Sequence, residues 1–194
     1  MIAIVKYNAG NVQSVQYALQ RLGVESVVTD DIGLIQGADK VIFPGVGHAF
    51  AAMESLKESG LDKVIKNLKQ PVLGICLGMQ LLCRHSQEGE TNCLGIFNTG
   101  IKLFESPALK VPQIGWNTIY DYSSVLFKGL QEAAFVYTVH SYYAAVSKDT
   151  VAKTEYILPY SAALQKENFY GVQFHPEKSG LAGETILKNF IEKT

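Results

Sequence analysis

Val72-Leu73-Gly74-Ile75-Cys76-Leu77-Gly78-Met79-Gln80 is the stretch that decides the fold. Its first four residues form an apolar run, as a strand covered on both faces requires, and Gly78 to Arg84 can continue as a helix. Between them, Gly74-Ile75-Cys76-Leu77-Gly78 has the form Gly-X-nucleophile-X-Gly, the sharp strand-to-helix turn called a nucleophile elbow. The reason for the glycines is steric: a side chain on either flank would strike the neighbouring strand or helix. The turn sets the Cys76 sulfur at a helix N-terminus, where the dipole and free N–H groups favour negative charge. The Leu77 N–H is then placed to hold an oxyanion. A buried structural cysteine is the competing reading, since free cysteine is among the most buried residue types. The glycines and the strand-to-helix setting favour the nucleophile. Cys83 and Cys93 lack that setting and read as packing or surface residues.

Outward from this elbow, the first half alternates strand-like and helix-like segments. Ile2 to Lys6 is an apolar run that ends in the polar loop Tyr7-Asn8-Ala9-Gly10-Asn11. Val12, Val15, Leu19 and Leu22 then share one helix face, with Gly23 to end it. Val24 to Val28 and Lys40 to Phe43 read as strands. Helical stretches are expected from Ala49 and over Leu61 to Leu68. Strand, loop and helix in this repetition predict an α/β fold with a central, mostly parallel sheet flanked by helices. After Gly95 the chain turns β-rich, with strands expected over Ile101–Phe104, Ile119–Tyr122, Phe135–Val139, Ser161–Gln165 and Phe169–Phe174. Lys166-Glu167-Asn168 reads as a hairpin turn, and Ala182 to Glu192 as a last amphipathic helix. No repeat or linker divides the chain, so residues 1–194 are expected to form one domain.

The bulk properties exclude several classes. A formal net charge of −1 gives no electrostatic grip on nucleic acid or an anionic membrane. Lys63, Lys66 and Lys69, the densest basic stretch, fall at helical spacing and read as one solvated face. The opening Met1-Ile2-Ala3-Ile4-Val5-Lys6 reads as a strand, not a signal peptide, and no apolar run approaches the roughly 20 residues of a membrane span. Three cysteines make a disulfide framework unexpected and a reducing cytoplasm the simplest setting. No Cys/His spacing suggests zinc, and no metal or cofactor is called for.

A partner for the cysteine stands near the other end, in Gly171-Val172-Gln173-Phe174-His175-Pro176-Glu177. Pro176 biases His175 toward extended geometry. Residues two apart on an extended stretch point to one side, so Glu177 can orient His175 while the other ring nitrogen faces a thiol. His48, His85 and His140 compete as base, but none has a carboxylate two residues on. Pro44-Gly45-Val46-Gly47 also follows a strand. It reads either as a tight turn or as the second arm of an oxyanion hole, supplied by the Val46 N–H.

Together these segments resemble the class I, or triad, glutamine amidotransferases. Gly74 to Gln80 is similar to that family's nucleophile motif and Gly171 to Glu177 to its His-X-Glu motif, and the similarity runs over nearly the whole chain. Within the family the chain most resembles the glutaminase subunits of imidazole glycerol phosphate synthase. That likeness rests on Gly10-Asn11-Val12-Gln13-Ser14-Val15, Pro44 to Gly47, Val111-Pro112-Gln113-Ile114-Gly115-Trp116-Asn117, His140-Ser141-Tyr142 and Glu177-Lys178-Ser179-Gly180. The chain departs from the family pattern at Lys6, Asn8 and Gln113, where aspartate, glycine and histidine are common. The resemblance implies Cys76 as nucleophile, His175 as base and Glu177 as its orienter. It implies a glutamine site lined by Gly47, Gln80, Ser141 and Tyr142. Asn11, Trp116, Asn117, Tyr137 and Lys178 would lie toward a separate (β/α)₈ barrel subunit that uses the ammonia. Three other readings compete: the same glutaminase serving another synthase, a cysteine hydrolase or peptidase on a related sheet, and a non-catalytic interaction module. The peptidase has no need of Gln80 or of Val111 to Asn117, and the module none of Cys76, His175 and Glu177 together.

Overall fold

The computed structural model describes residues 1–8 and 10–194; within the loop expected over 7–11, Ala9 lies outside the described residues. In chain order the elements of the first half are β1 (Ile2–Val5), α1 (Val12–Arg21), β2 (Ser26–Thr29), α2 (Ile32–Gly37), β3 (Lys40–Gly45), α3 (Ala49–Ser59), α4 (Leu61–Asn67), β4 (Val72–Cys76) and α5 (Leu77–Leu82). There follow β5 (His85–Ser86), β6 (Thr91–Asn92), β7 (Gly100–Leu103), β8 (Gln113–Ile119), β9 (Ala134–His140), β10 (Tyr142–Ala144), β11 (Thr150–Tyr156), β12 (Leu158–Lys166), β13 (Phe169–Val172) and α6 (Gly180–Lys193).

The main sheet has seven strands in the order β11-β12-β13-β4-β3-β1-β2. From β13 to β2 every pairing is parallel, while β12 and β11 add an antiparallel edge. Successive residues of a strand feed opposite cores. Ala3 and Val5 pack with α3, α4 and α5, whereas Ile2 and Ile4 pack with Val15 and Leu19 of α1 and Ile186, Leu187 and Phe190 of α6. Both faces are therefore apolar, which is why these strands show no polar alternation. The strand that ends in Cys76, β4, lies between β3 and β13, so the ends of all three open onto one site.

Several expectations need correction. The second strand starts at Ser26, two residues later than the apolar run suggests, and α5 ends at Leu82, short of Arg84. The strand expected over Ile119–Tyr122 is instead Gln113–Ile119, paired with β9 from Gln113↔His140 to Ile119↔Ala134 in a separate two-stranded sheet. Its glycine and amide side chains have little strand preference, and the ladder to β9 decides the pairing. Helix α2 has no counterpart among the expected elements; it is short, and Asp31 caps it by accepting from the Leu34 N–H at 2.8 Å. The turn at 166–168 is present as a two-residue connection, with Lys166 opposite Phe169. Among the described residues no helix is long and apolar enough to cross a membrane.

Candidate active site

Cys76 ends β4 and caps α5 with φ 54 and ψ −112, a backbone that only a forced turn holds for a side chain other than glycine. The flanking glycines show what forces it. A Cβ on Gly78 would stand 1.8 Å from the Phe43 carbonyl oxygen in β3, and one on Gly74 would stand 2.8 Å from Leu82 and 2.9 Å from the Met79 nitrogen. The elbow is thus pressed against the neighbouring strand and against its own helix, as the steric reading of the motif requires. Every residue of α5 is buried. Leu77, first in that helix, has an N–H with no intrahelical acceptor, and it lines the cavity beside the sulfur.

Just beyond β13, His175 arrives with φ −100 and ψ 95. Its backbone N–H donates to the Tyr137 carbonyl of β9 at 2.9 Å, and its own carbonyl accepts from Ser179 Oγ at 2.6 Å. The side chains of His175 and Glu177 are sealed from solvent, with Nδ1 2.8 Å from Glu177 Oε1. The two side chains meet, but not for the reason the sequence suggests. His175 is extended as Pro176 demands, whereas Pro176–Lys178 forms a 3₁₀ turn with Pro176 in its opening position. The turn, not strand alternation, curls Glu177 back onto the ring. Because the carboxylate accepts, Nδ1 carries a hydrogen, and Nε2 is left buried without a partner among the described residues. Burial acts against charge on this ring, but the Cys76 sulfur and then the Glu177 carboxylate outweigh it and raise His175 to about 10.

The rival histidines are otherwise engaged. His48 caps α3 by accepting from the Phe50 N–H, and His85 lies 3.6 Å from Glu90. His140 sits in the same cavity, but burial lowers it to about 4, and its two nitrogens contact the Tyr142 carbonyl at 2.8 Å and the Tyr160 hydroxyl at 3.2 Å. It stays neutral and is spoken for.

The cavity over Cys76, of about 280 Å³, is lined by all the residues assigned to substrate and oxyanion: Val46, Gly47, Leu77, Gln80, Ser141 and Tyr142. Gln80 is more committed than expected, since its Nε2 donates to the Tyr142 carbonyl at 3.1 Å and to Gln173 Oε1 at 3.0 Å. Glu88 also lines the cavity, and sequence reasoning missed it. Glu88 Oε2 accepts from the Ala49 N–H at 2.7 Å, joining it to the helix that follows the Val46 loop. Only the pairing of short strands β5 and β6 brings this acid across, so no local pattern could have found it.

The residues expected to face a partner divide. Trp116 and Tyr137 stand opposite one another on the outer face of β8–β9, their rings 6.1 Å apart and edge to face. On that face Ile114, Trp116 and Phe135 are 65%, 58% and 62% exposed. Lys178, next after Glu177, is exposed too. Asn117 and Asn11 instead spend their side-chain amides on groups of this chain. Asn117 follows Trp116 in the strand, so it points to the other side, where Nδ2 donates to the Glu155 carbonyl at 3.0 Å. Asn11 Nδ2 donates to Glu177 Oε1 at 2.5 Å, making it a second support for the carboxylate.

Comparison with known proteins gives the family. Residues 3–194 match the family described as glutamine amidotransferase class-I. The imidazole glycerol phosphate synthase subunit HisH of Bacteroides fragilis (strain YCH46) is 62% identical over 193 residues, 98% of each chain. HisH of Shewanella loihica is 45% identical, over 97% of this chain and 89% of its own. Among solved structures, PurLQS from Thermotoga maritima superposes with a TM-score of 0.72 at 17% identity, covering 98% of this chain and 96% of that one. A glutamine amidotransferase from the same organism gives 0.66 at 16%, covering 98% and 80%. These two show the fold alone, whereas the sequence matches show descent: the chain belongs to the class I glutamine amidotransferase family, in the company of the HisH subunits.

Proposed function

We propose that this chain hydrolyses glutamine to glutamate and ammonia through Cys76, His175 and Glu177. It would deliver the ammonia to a separate (β/α)₈ synthase subunit that makes imidazole glycerol phosphate and aminoimidazole carboxamide ribotide in histidine biosynthesis. The observation that carries this is the strained Cys76 elbow beside a buried His175–Glu177 pair whose Nε2 has no other partner among the described residues. The cytoplasm is its proposed compartment, consistent with three free cysteines.

In this mechanism the Cys76 sulfur attacks the side-chain carbonyl carbon of glutamine. Negative charge moves to the carbonyl oxygen, held by the Leu77 N–H and, when it faces the site, the Val46 N–H. His175 protonates the amide nitrogen, the C–N bond breaks and ammonia leaves a γ-glutamyl thioester. Water, deprotonated by His175, then releases glutamate and restores the thiol. Glu177 and Asn11 keep the imidazole in one tautomer and one orientation. Gly47, Gln80, Ser141 and Tyr142 border the substrate, and Glu88 offers a carboxylate to its α-ammonium group. The exposed face of Ile114, Trp116, Phe135 and Tyr137, with Lys178, suits a protein partner, which is what the name of the HisH relatives implies for them.

The test uses the complex with the barrel subunit. Cys76→Ala is expected to remove glutamate release by roughly 10⁴-fold or more while ammonium salt at alkaline pH still supports ring closure. Glutamate release near the wild-type rate would sink the nucleophile assignment, and failure of ammonium to rescue a well-folded complex would sink the division of labour.

A further inference from the structure

Gln173 is 1% exposed, stands two residues before His175, and has no part in the mechanism so far. Its Oε1 accepts from Gln80 Nε2 at 3.0 Å, and its Nε2 lies 3.9 Å from the Cys76 sulfur. Which end of a buried amide faces a neighbour is decided by what the neighbours can accept or donate. Here the sense is set by a backbone group. The Tyr142 carbonyl can only accept, so it draws Gln80 Nε2, 3.1 Å away, and the second hydrogen of that nitrogen reaches Gln173 Oε1. With its oxygen so engaged, Gln173 has only its N–H to turn toward the sulfur. A line of fixed orientation therefore runs from β10 through two side chains to the nucleophile.

Among the described residues the sulfur also meets the Val139 carbonyl, at 3.9 Å. The two contacts prefer opposite states. A carbonyl oxygen suits S–H, which can donate to it, and opposes a bare negative sulfur. An amide N–H suits the anion, because a hydrogen bond strengthens when its acceptor is charged. At 3.9 Å the N–H stands at the outer reach of a sulfur contact, so its gain comes mainly with charge. We propose that Gln173 is the donor that holds Cys76 as the anion and that Gln80 is the residue that aims it. The step it favours is a simple proton transfer: the Cys76 S–H bond breaks, His175 Nε2–H forms, and nothing else changes hands. The charged or titratable groups around the sulfur are His175 and Glu177 beyond β13, Tyr7 beyond β1, His140 at the end of β9 and Glu88 across the cavity. All of these are retained in the variants below, so a change in the sulfur's titration reports on the amides.

This inference rests on Cys76 being the nucleophile, and the experiment separates the two. The full-length chain is alkylated with iodoacetamide across a pH series, and labelling of Cys76 is followed by mass spectrometry. Gln173→Met removes the donor at similar length and is expected to raise the midpoint of the alkylation profile by about one pH unit. Gln173→Glu still accepts from Gln80 but sets a carboxylate oxygen on the sulfur, and it is expected to raise the midpoint further. Gln80→Met leaves Gln173 free to turn its oxygen inward and is expected to raise the midpoint by less. If Gln173 only braced Gln80, Gln173→Met would keep the wild-type midpoint, and that result overturns the proposal. Should the Gln173 variants fail to fold, an unchanged midpoint in Gln80→Met overturns it equally. A wild-type Cys76 that never labels ahead of Cys93 would instead remove the nucleophile reading itself.

Discussion

Leu77 and Val46 border one cavity from two elements of opposite character. Leu77 opens a helix that is buried throughout, and that helix is wedged so tightly on β3 that Gly78 leaves no room for a methyl group against Phe43. Val46 is 37% exposed immediately after β3, and Gly47 beside it has φ 112 with nothing within 4 Å of an added Cβ. One donor is held by the core, and its position cannot change without loss of the fold. The other hangs on a backbone that has space to turn. If both N–H groups hold the oxyanion as proposed, control of the reaction falls to the Val46 side, and the elbow needs no adjusting.

The largest effect should come from striking the fixed side. Gly78→Ala puts a methyl group into the Phe43 carbonyl, so little or no folded protein is expected, read by circular dichroism and thermal melting. A variant that melts like the wild type would show that the elbow has slack, and the contrast would dissolve. Next comes Glu177→Gln, which weakens the base in every state. Glutamate release is expected to fall roughly 10³- to 10⁴-fold, by the same factor in the lone chain and in the complex, because the triad is complete in both. A factor that differs sharply between the two would place the triad on the movable side. The third comparison leaves the sequence untouched. If the Val46 N–H joins only when a partner and its ligand bias the loop, the lone chain should release glutamate about 10²-fold more slowly than the liganded complex. A lone chain at the full rate would remove the switch. Smallest is Gly47→Ala. The new side chain meets no atom but disfavours φ 112, so the melting temperature should shift little while activation by the partner falls about tenfold. Equal loss with and without partner would assign Gly47 to substrate binding alone.

The legible parts of the fold are those whose cause is local. Val72 to Ile75 and Lys40 to Phe43 are apolar because parallel strands are covered twice, and the Gly74–Gly78 spacing follows from contacts around one turn. Strand β8 escapes a local reading because its pairing with β9, about twenty residues on, overrides a glycine and two amides. The site divides in the same way. Cys76, His175 and Glu177 carry signatures within five residues of themselves. Glu88, the bond from Asn11 to Glu177 and the sulfur contact of Gln173 depend on chain segments that meet only in the folded molecule, separated by 166 positions for Asn11 and Glu177 and by 97 for Gln173 and Cys76.

The outer face of β8–β9 bears on supply as much as on docking. Ile114, Trp116 and Phe135 lie bare on one side of a two-stranded ribbon. Apolar side chains clustered in water invite indiscriminate association between copies. A cell making this chain in excess of whatever covers that ribbon would accumulate sticky orphans, prone to precipitation or disposal. If the proposed partner subunit covers the ribbon, matched synthesis of the two is a demand that the bare face places on the cell, and solubility at rising expression should track the dose of that partner.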